Sequence, residues 1–443
     1  MKLKEHCGVV AVSGPDAVEL TYELLKLHQH RGQESAGIST IQDNVLVTLK
    51  GLGTVEEALD KEELSSLNGS VAIGHVRYST SGSVTVEDSQ PLSNGRLAVA
   101  FNGTITNAYK YGYKLDTRFL LDLISSGSDP VSGIARVYEK ADGAYSAIVL
   151  SERGEIYAFR DPKGFRPLVL GKIGENLVVA SEDGPIRQLG GYVLRDVSPG
   201  EIVKVNGDHF EFVRVVDPAP TTCSFEYIYF ARPDSTIDGY SVYEARVRLG
   251  ELLGKNHRAE ADIVVPVPES SIPVAIGYSR ATGTPLEYAL VRSHYSMRSF
   301  IMPTQDKRLS AIEEKFSVVS KAVEGKRVVL VDDSIVRGNT MKKLVSALRN
   351  AGAKEVHVRV GSPPIRYPCY MGIDFPSRRE LIAYNRGERA IAKEIGADSV
   401  EYLTVEEMIQ AIGRKDLCHA CFTGKYPLRW SYSLEELESA FAR

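Results

Sequence analysis

Cysteine is scarce in this chain and unevenly spread. Five residues in 443, Cys7, Cys223, Cys369, Cys418 and Cys421, are too few to staple a disulfide scaffold, which excludes the secreted classes that depend on one. An excess of one charge is also lacking, and a net charge of -4 excludes a broad nucleic-acid footprint while leaving room for a local basic site. No apolar run reaches the roughly 18 residues needed to span a bilayer, and the N-terminus has no apolar segment of the secretory-signal type. Internal repeats and low-complexity tracts are absent too. Together these absences predict a cytoplasmic globular protein whose thiols stay reduced, with neither membrane nor nucleic acid among its partners.

A composition of 43% hydrophobic and 25% charged residues is that of a soluble core-forming chain, and at about 150 residues per domain the length suggests two or three domains. Up to about residue 215 short apolar or alternating segments recur, as in Gly8-Val9-Val10-Ala11-Val12, Val71–Gly74, Leu97–Phe101, Ser146–Leu150 and Leu177–Ala180. Helical patterns fall at residues 16–30 and 116–125. From about residue 262 the pattern becomes strand followed by helix, at Asp262–Val267, Lys326–Asp333 and Lys354–Val360. Runs such as VVLV, apolar on both faces, indicate parallel strands in an α/β sheet. The Pro-containing stretch Val216-Asp217-Pro218-Ala219-Pro220 reads as a linker, dividing the chain into 7–220 and 221–443.

VVLVDDSIVRGNT, residues 328–340, is the most informative stretch. A buried strand ends in two adjacent carboxylates, and a short loop of hydroxyls, Arg337 and Gly338 leads into a helix beginning near Met341. Backbone amides at such a helix start, aided by Ser334 and Thr340, make an anion site. Asp332 and Asp333 just before it can hold ribose hydroxyls or Mg2+. The combination suits a phosphorylated sugar.

This stretch resembles the 5-phosphoribosyl-1-pyrophosphate (PRPP) motif of the phosphoribosyltransferases, and in particular the DDSIVRGTT form of the glutamine PRPP amidotransferases. Asn339 stands where that family usually has Thr. The resemblance implies PRPP binding by Asp332, Asp333, Ser334, Arg337, Gly338, Asn339 and Thr340. VVPVPESS (264–271) resembles the family's pyrophosphate loop, which places Ser270 with Asp332 and Asp333 near Mg2+. Residues 292–308 resemble its mobile loop, with Arg292-Ser293 where a typical member has KN.

Such a family demands a glutamine-hydrolysing half. HRGQESAGI (30–38), GHVRYST (74–80), FNGTITN (101–107) and Asp116-Thr117 resemble the glutaminase motifs of the N-terminal-nucleophile amidotransferases. The implied glutamine set is Arg31, Arg77 and Asp116. Arg77 would pair with the α-carboxylate and Asp116 with the α-ammonium, while Arg31 orders the site by salt bridging. Asn102 and the Gly103 amide would stabilise the oxyanion. Cys7 becomes the nucleophile, with its own α-amino group as base; Met1–His6 must then be a propeptide.

Cys418-His419-Ala420-Cys421, joined with Cys223 and Cys369, gives four thiols that suit zinc or an iron–sulfur cluster. Their chemistry does not choose between the metals. The resemblance of CHACFTGKYP to the cluster-bearing branch implies a structural [4Fe-4S] cluster.

The fold implied is an αββα glutaminase sandwich followed by a type I phosphoribosyltransferase domain. The activity implied is transfer of ammonia from glutamine, through an internal channel, to C1 of PRPP, giving 5-phosphoribosylamine, glutamate and pyrophosphate. Purine nucleotides as feedback inhibitors and a dimeric or tetrameric assembly also follow. Two other readings are a hexosamine- or asparagine-forming amidotransferase, which has no use for residues 328–340, and a non-catalytic regulator on a phosphoribosyltransferase fold, which has none for Cys7, Arg77 and Asn102.

Overall fold

The computed structural model describes residues 7–78, 85–292, 316–373, 375, 377–430 and 432–441. Met1–His6, the end of the GHVRYST motif and residues 293–308 of the expected mobile loop therefore lie outside the described residues.

Strand Gly8–Ser13 shows how the first half is layered. Val9 and Ala11 face one side and Val10 and Val12 the other, and all four are at most 1% exposed. Val10 and Val12 pack with Leu24 and Leu25 of helix Ala17–Leu27, while Val9 and Ala11 pack against Ala98, Ala100 and Ile148 of a second sheet. The opposite alternation on strand Leu97–Ile105 sends Val99 and Phe101 toward helices Asp116–Ser125 and Pro130–Lys140. A seven-stranded and a six-stranded antiparallel sheet thus lie face to face between two helical layers, which is the expected αββα sandwich. Gly8–Ser13 sits inside its sheet, paired antiparallel with Val71–Arg77 on one side and Asn176–Ala180 on the other.

The second half contains a four-stranded parallel sheet in the order Ile263–Pro266, Arg327–Asp332, Glu355–Val360, Ser399–Tyr402. Val264 and Val329 pack on the side of helices Val242–Asn256 and Ile272–Thr282, and Val265 and Leu330 on the side of helix Asn339–Asn350. The first three strands lie where the apolar runs predict them. The fourth escapes that reading because it is an edge strand with only Val400 and Tyr402 buried.

Residues 215–221 carry no regular structure, and the chain then forms a two-residue strand, Thr222–Cys223, parallel to Leu417–Cys418. Phe225 behind it meets Phe422 at 5.7 Å and Phe375 at 5.3 Å between ring centroids. The same apolar cluster takes in Ala144 and Phe165 from the first half, so the halves share a core. Among the described residues no helix is long and apolar enough to cross a membrane.

Candidate active sites

Cys7 lies at the head of strand Gly8–Ser13, where pairing of Gly8 with Val76 brings it beside Arg77 and Tyr78. Its Sγ donates to the Tyr78 carbonyl at 3.4 Å, and the Tyr78 N–H lies 3.5 Å from the sulfur. Burial pushes the thiol up to about 11; Arg77 pulls the other way, and Asp116 and Glu34 add to the rise. A thiol so placed stays protonated at neutral pH and needs a base to become a nucleophile.

Asn102 is fully buried, and neither its amide nitrogen nor its oxygen has a partner among the described residues. Such an amide is costly unless something else uses it. Gly103 follows at φ 143°, where an added Cβ would sit 1.9 Å from the Ala144 carbonyl oxygen; only glycine fits. Asp116, 5% exposed, accepts from the N–H of Ile105 at 3.2 Å and of Thr117 at 3.0 Å. The aspartate is thus tied to the strand that carries Asn102 and Gly103. A residue not singled out from sequence completes the frame: His75 Nε2 meets the Phe101 carbonyl at 3.1 Å across the two sheets. Burial holds its imidazole down to about 3, so it is a neutral donor.

Arg31, expected in the glutamine set as the group that orders the site by salt bridging, is held in a buried ion-pair network. Its guanidinium, 1% exposed, reaches Glu182 at 2.9 Å and Glu226 at 2.8 and 3.2 Å, and Glu226 also accepts from Arg166 at 3.3 Å. Glu226 comes from the second half, so Arg31 anchors one half to the other and its role is the salt-bridging one. None of these four partners could be read locally, because each pair joins residues 60 or more positions apart. Glu226→Ala leaves Arg31 and Arg166 without that carboxylate in the interior, and the expected loss is about 3–5 kcal/mol, read as a lowered midpoint in denaturant unfolding.

In the second half, strand Arg327–Asp332 delivers the two carboxylates. Asp333 accepts from Ser334 Oγ at 2.8 Å and from Ser270 Oγ at 2.5 Å, so the loops expected to share Mg2+ and PRPP do meet. The Asp333 N–H is itself bonded to Asp332 Oδ1 at 2.9 Å. Gly338, at φ 78°, precedes helix Asn339–Asn350, and a side chain there would strike Ile382. Asn339 and Thr340 open the helix two residues before the predicted start. Arg337 pairs with Glu380 at 3.0 Å.

The four remaining thiols also converge. Cys223 pairs in register with Cys418, the Met371 N–H donates to Cys369 Sγ at 3.3 Å, and Cys421 feels the charge of the other three. All are free thiols raised chiefly by burial, Cys223 to about 11. Among the described residues, no three His, Cys, Asp or Glu side chains close on a point as one metal ion requires.

Residues 75–188 match the family model for a glutamine amidotransferase domain and residues 245–361 that for a phosphoribosyl transferase domain. The amidophosphoribosyltransferase of Methanothermobacter thermautotrophicus is 42% identical over 99% of this chain and 98% of its own. That of Pyrococcus horikoshii is 45% identical over 98% and 99%. The solved glutamine PRPP amidotransferase of Bacillus subtilis, complexed with ADP and GMP, superposes with a TM-score of 0.88 at 42% identity, covering 96% of this chain and 98% of that one. With two site-bearing halves and relatives matched nearly end to end, the chain belongs to the amidophosphoribosyltransferases, glutamine-dependent enzymes that place ammonia on C1 of PRPP in the first step of de novo purine biosynthesis.

Proposed function

We propose that Cys7 carries the glutaminase half-reaction and that Met1–His6 are removed to arm it. The supporting observation is the buried thiol beside Arg77 and Asp116, on a frame whose Asn102 amide has no partner among the described residues. Arg77 takes the α-carboxylate of glutamine and Asp116 its α-ammonium. The freed α-amino group of Cys7 accepts the thiol proton, and an amine of ordinary pKa near 8 is suited to that task. Sulfur adds to the side-chain amide carbon, Asn102 and the Gly103 N–H receive the oxyanion, and collapse expels ammonia and leaves a thioester for water to cleave.

Mass spectrometry of the active protein tests the arming step, with Cys7 expected as the first residue. A chain still starting at Met1 with full glutaminase activity would overturn it. In a chain blocked at Met1 the thiol pKa of about 11 leaves on the order of one thiolate per thousand at pH 8. Alkylation of Cys7 should then be slow at neutrality and accelerate as pH rises toward 11.

In the second half, Asp332, Asp333, Ser334, Gly338, Asn339 and Thr340 hold the ribose 5-phosphate end of PRPP; Arg337, already paired with Glu380, contributes at the rim. Ser270, Asp332 and Asp333 would supply oxygen donors of the hard kind Mg2+ prefers, a reading supported by the Ser270–Asp333 contact, and the ion would offset charge on the leaving pyrophosphate. We further read the four thiols as ligands of a [4Fe-4S] cluster. Cys223 pairs in register with Cys418, and all four thiols lie near enough to influence one another, which supports a shared group. The cluster would cross-link the start, middle and end of the second half. Iron without zinc in anaerobically purified protein, with a visible absorbance that bleaches in air, is the expected result.

The Bacillus subtilis relative was solved with ADP and GMP, which supports purine nucleotides as inhibitors here. A homo-oligomer, dimer or tetramer, in the cytoplasm completes the reading.

A further inference from the structure

The glutaminase strand and the thiol patch meet at one side chain. Arg166 is fully buried in the loop after strand Ile156–Arg160. The carbonyl of its neighbour Phe165 accepts from the Cys223 N–H at 3.4 Å. Its own Nη2 donates to the Met371 carbonyl at 2.5 Å and its Nη1 to Glu226 at 3.3 Å. The segment it grips is the one that carries Cys369. On the other side, Thr106 Oγ1 donates to the Tyr370 carbonyl at 2.9 Å, and a Cβ on Gly372 would stand 3.2 Å both from Arg166 Nη2 and from the Gly103 carbonyl carbon. Residues 369–372 are therefore held between Arg166 and the strand that presents Asn102 and Gly103. Arg166 Nε–H, buried, has no acceptor among the described residues, a deficit that an electron-rich sulfur would relieve.

We propose that Arg166 is a positioning residue that links the two: it pins the Cys369–Gly372 segment against the Asn102–Gly103 strand and brings its positive charge to the thiol segments. The Phe165 carbonyl on the Cys223 N–H and the Met371 carbonyl on the Arg166 guanidinium set that charge between the two cysteine-bearing segments. The countercharge part rests on the cluster reading above; the pinning part does not. Glutamine chemistry then depends on the geometry of the thiol segment, whereas ammonia-dependent synthesis at the distant PRPP site does not.

The test uses the full chain, purified anaerobically, as wild type, Arg166→Met, Arg166→Lys and Thr106→Val. Arg166→Met should lower glutamine-dependent turnover about tenfold or more relative to ammonia-dependent turnover, the scale at which a misplaced catalytic group is felt. It should also shift the cluster's reduction potential negative, because a nearby positive charge favours the reduced form. Arg166→Lys should restore the potential but not the donor ratio, since an ammonium has no fork with which to bridge Met371 and Glu226. An unchanged donor ratio, an unchanged potential, or equal loss with both donors overturns the proposal. Should wild type hold no iron, the cluster reading falls while the donor ratio still decides the pinning role. If Arg166→Met does not fold, Thr106→Val must lower the ratio by itself, and an unchanged ratio there sinks the proposal.

Discussion

Cys7→Ala is expected to abolish synthesis of phosphoribosylamine from glutamine and to leave synthesis from ammonia intact. Loss of a covalent nucleophile costs on the order of 10^4-fold or more, since the oxyanion donors and substrate contacts that remain cannot form the thioester. The substitution removes one sulfur atom at a site 9% exposed, so the stability lost is about 1 kcal/mol and the rest of the molecule is preserved. Added ammonia would bypass the thioester chemistry, and the proposed PRPP site stands on a separate sheet. Steady-state rates with each donor decide the matter. If both reactions persist, Cys7 is a core residue; if both vanish, the variant has lost more than a nucleophile.

Asp333→Asn is expected to remove both reactions. The carboxylate, 4% exposed, receives the hydroxyls of Ser270 and Ser334 on its two oxygens. An amide there turns one acceptor into a donor and removes the charge that would face Mg2+ and the sugar. Leaving one buried hydroxyl badly paired costs about 1–3 kcal/mol. Loss of a charge placed for the transition state adds about 10^2–10^3-fold in turnover. Rates with ammonia as donor measure this directly, and the alkylation rate of Cys7 serves as a control that the first half is undisturbed. Near-normal turnover and PRPP KM in this variant would rule out the assigned role. Cys7→Ala and Asp333→Asn thus separate the two half-reactions: one is rescued by ammonia and the other is not.

Which of these features were legible in the sequence follows from how local their physics is. Val328–Val331 reads as a buried strand because every side chain is apolar, and Asp332-Asp333 stands out because two carboxylates directly end that run. Cys7 is ambiguous by itself, since a thiol at the head of an apolar strand is also an ordinary core residue; the expectation that it is the nucleophile comes from the motifs around Arg77, Asn102 and Asp116. Arg31 is the opposite case. Its motif is local, but the carboxylates that claim it, Glu182 and Glu226, lie in other elements, and nothing near position 31 names them. His75 and Arg166 were missed in the same way, because their roles depend on which backbone carbonyls the fold brings to them. Strand Ser399–Tyr402, half exposed at the sheet edge, had too little apolar pattern to register.

The parallel pairing of Thr222–Cys223 with Leu417–Cys418 sets an order of events during biosynthesis. At about 5–20 residues per second, the ribosome needs roughly 10 to 40 seconds after making Cys223 to reach its partner strand. Until then Cys223 has no neighbour across the strand, and the first half can complete its sandwich while the second is still emerging. Joining ends so far apart costs about 5 kcal/mol of loop entropy, more than a pair of two-residue strands returns unaided. Closure of the second half must therefore wait until Leu417 has been made, and a chain cut short before it would lack both Cys418 and Cys421 and the strand that Thr222–Cys223 pairs with.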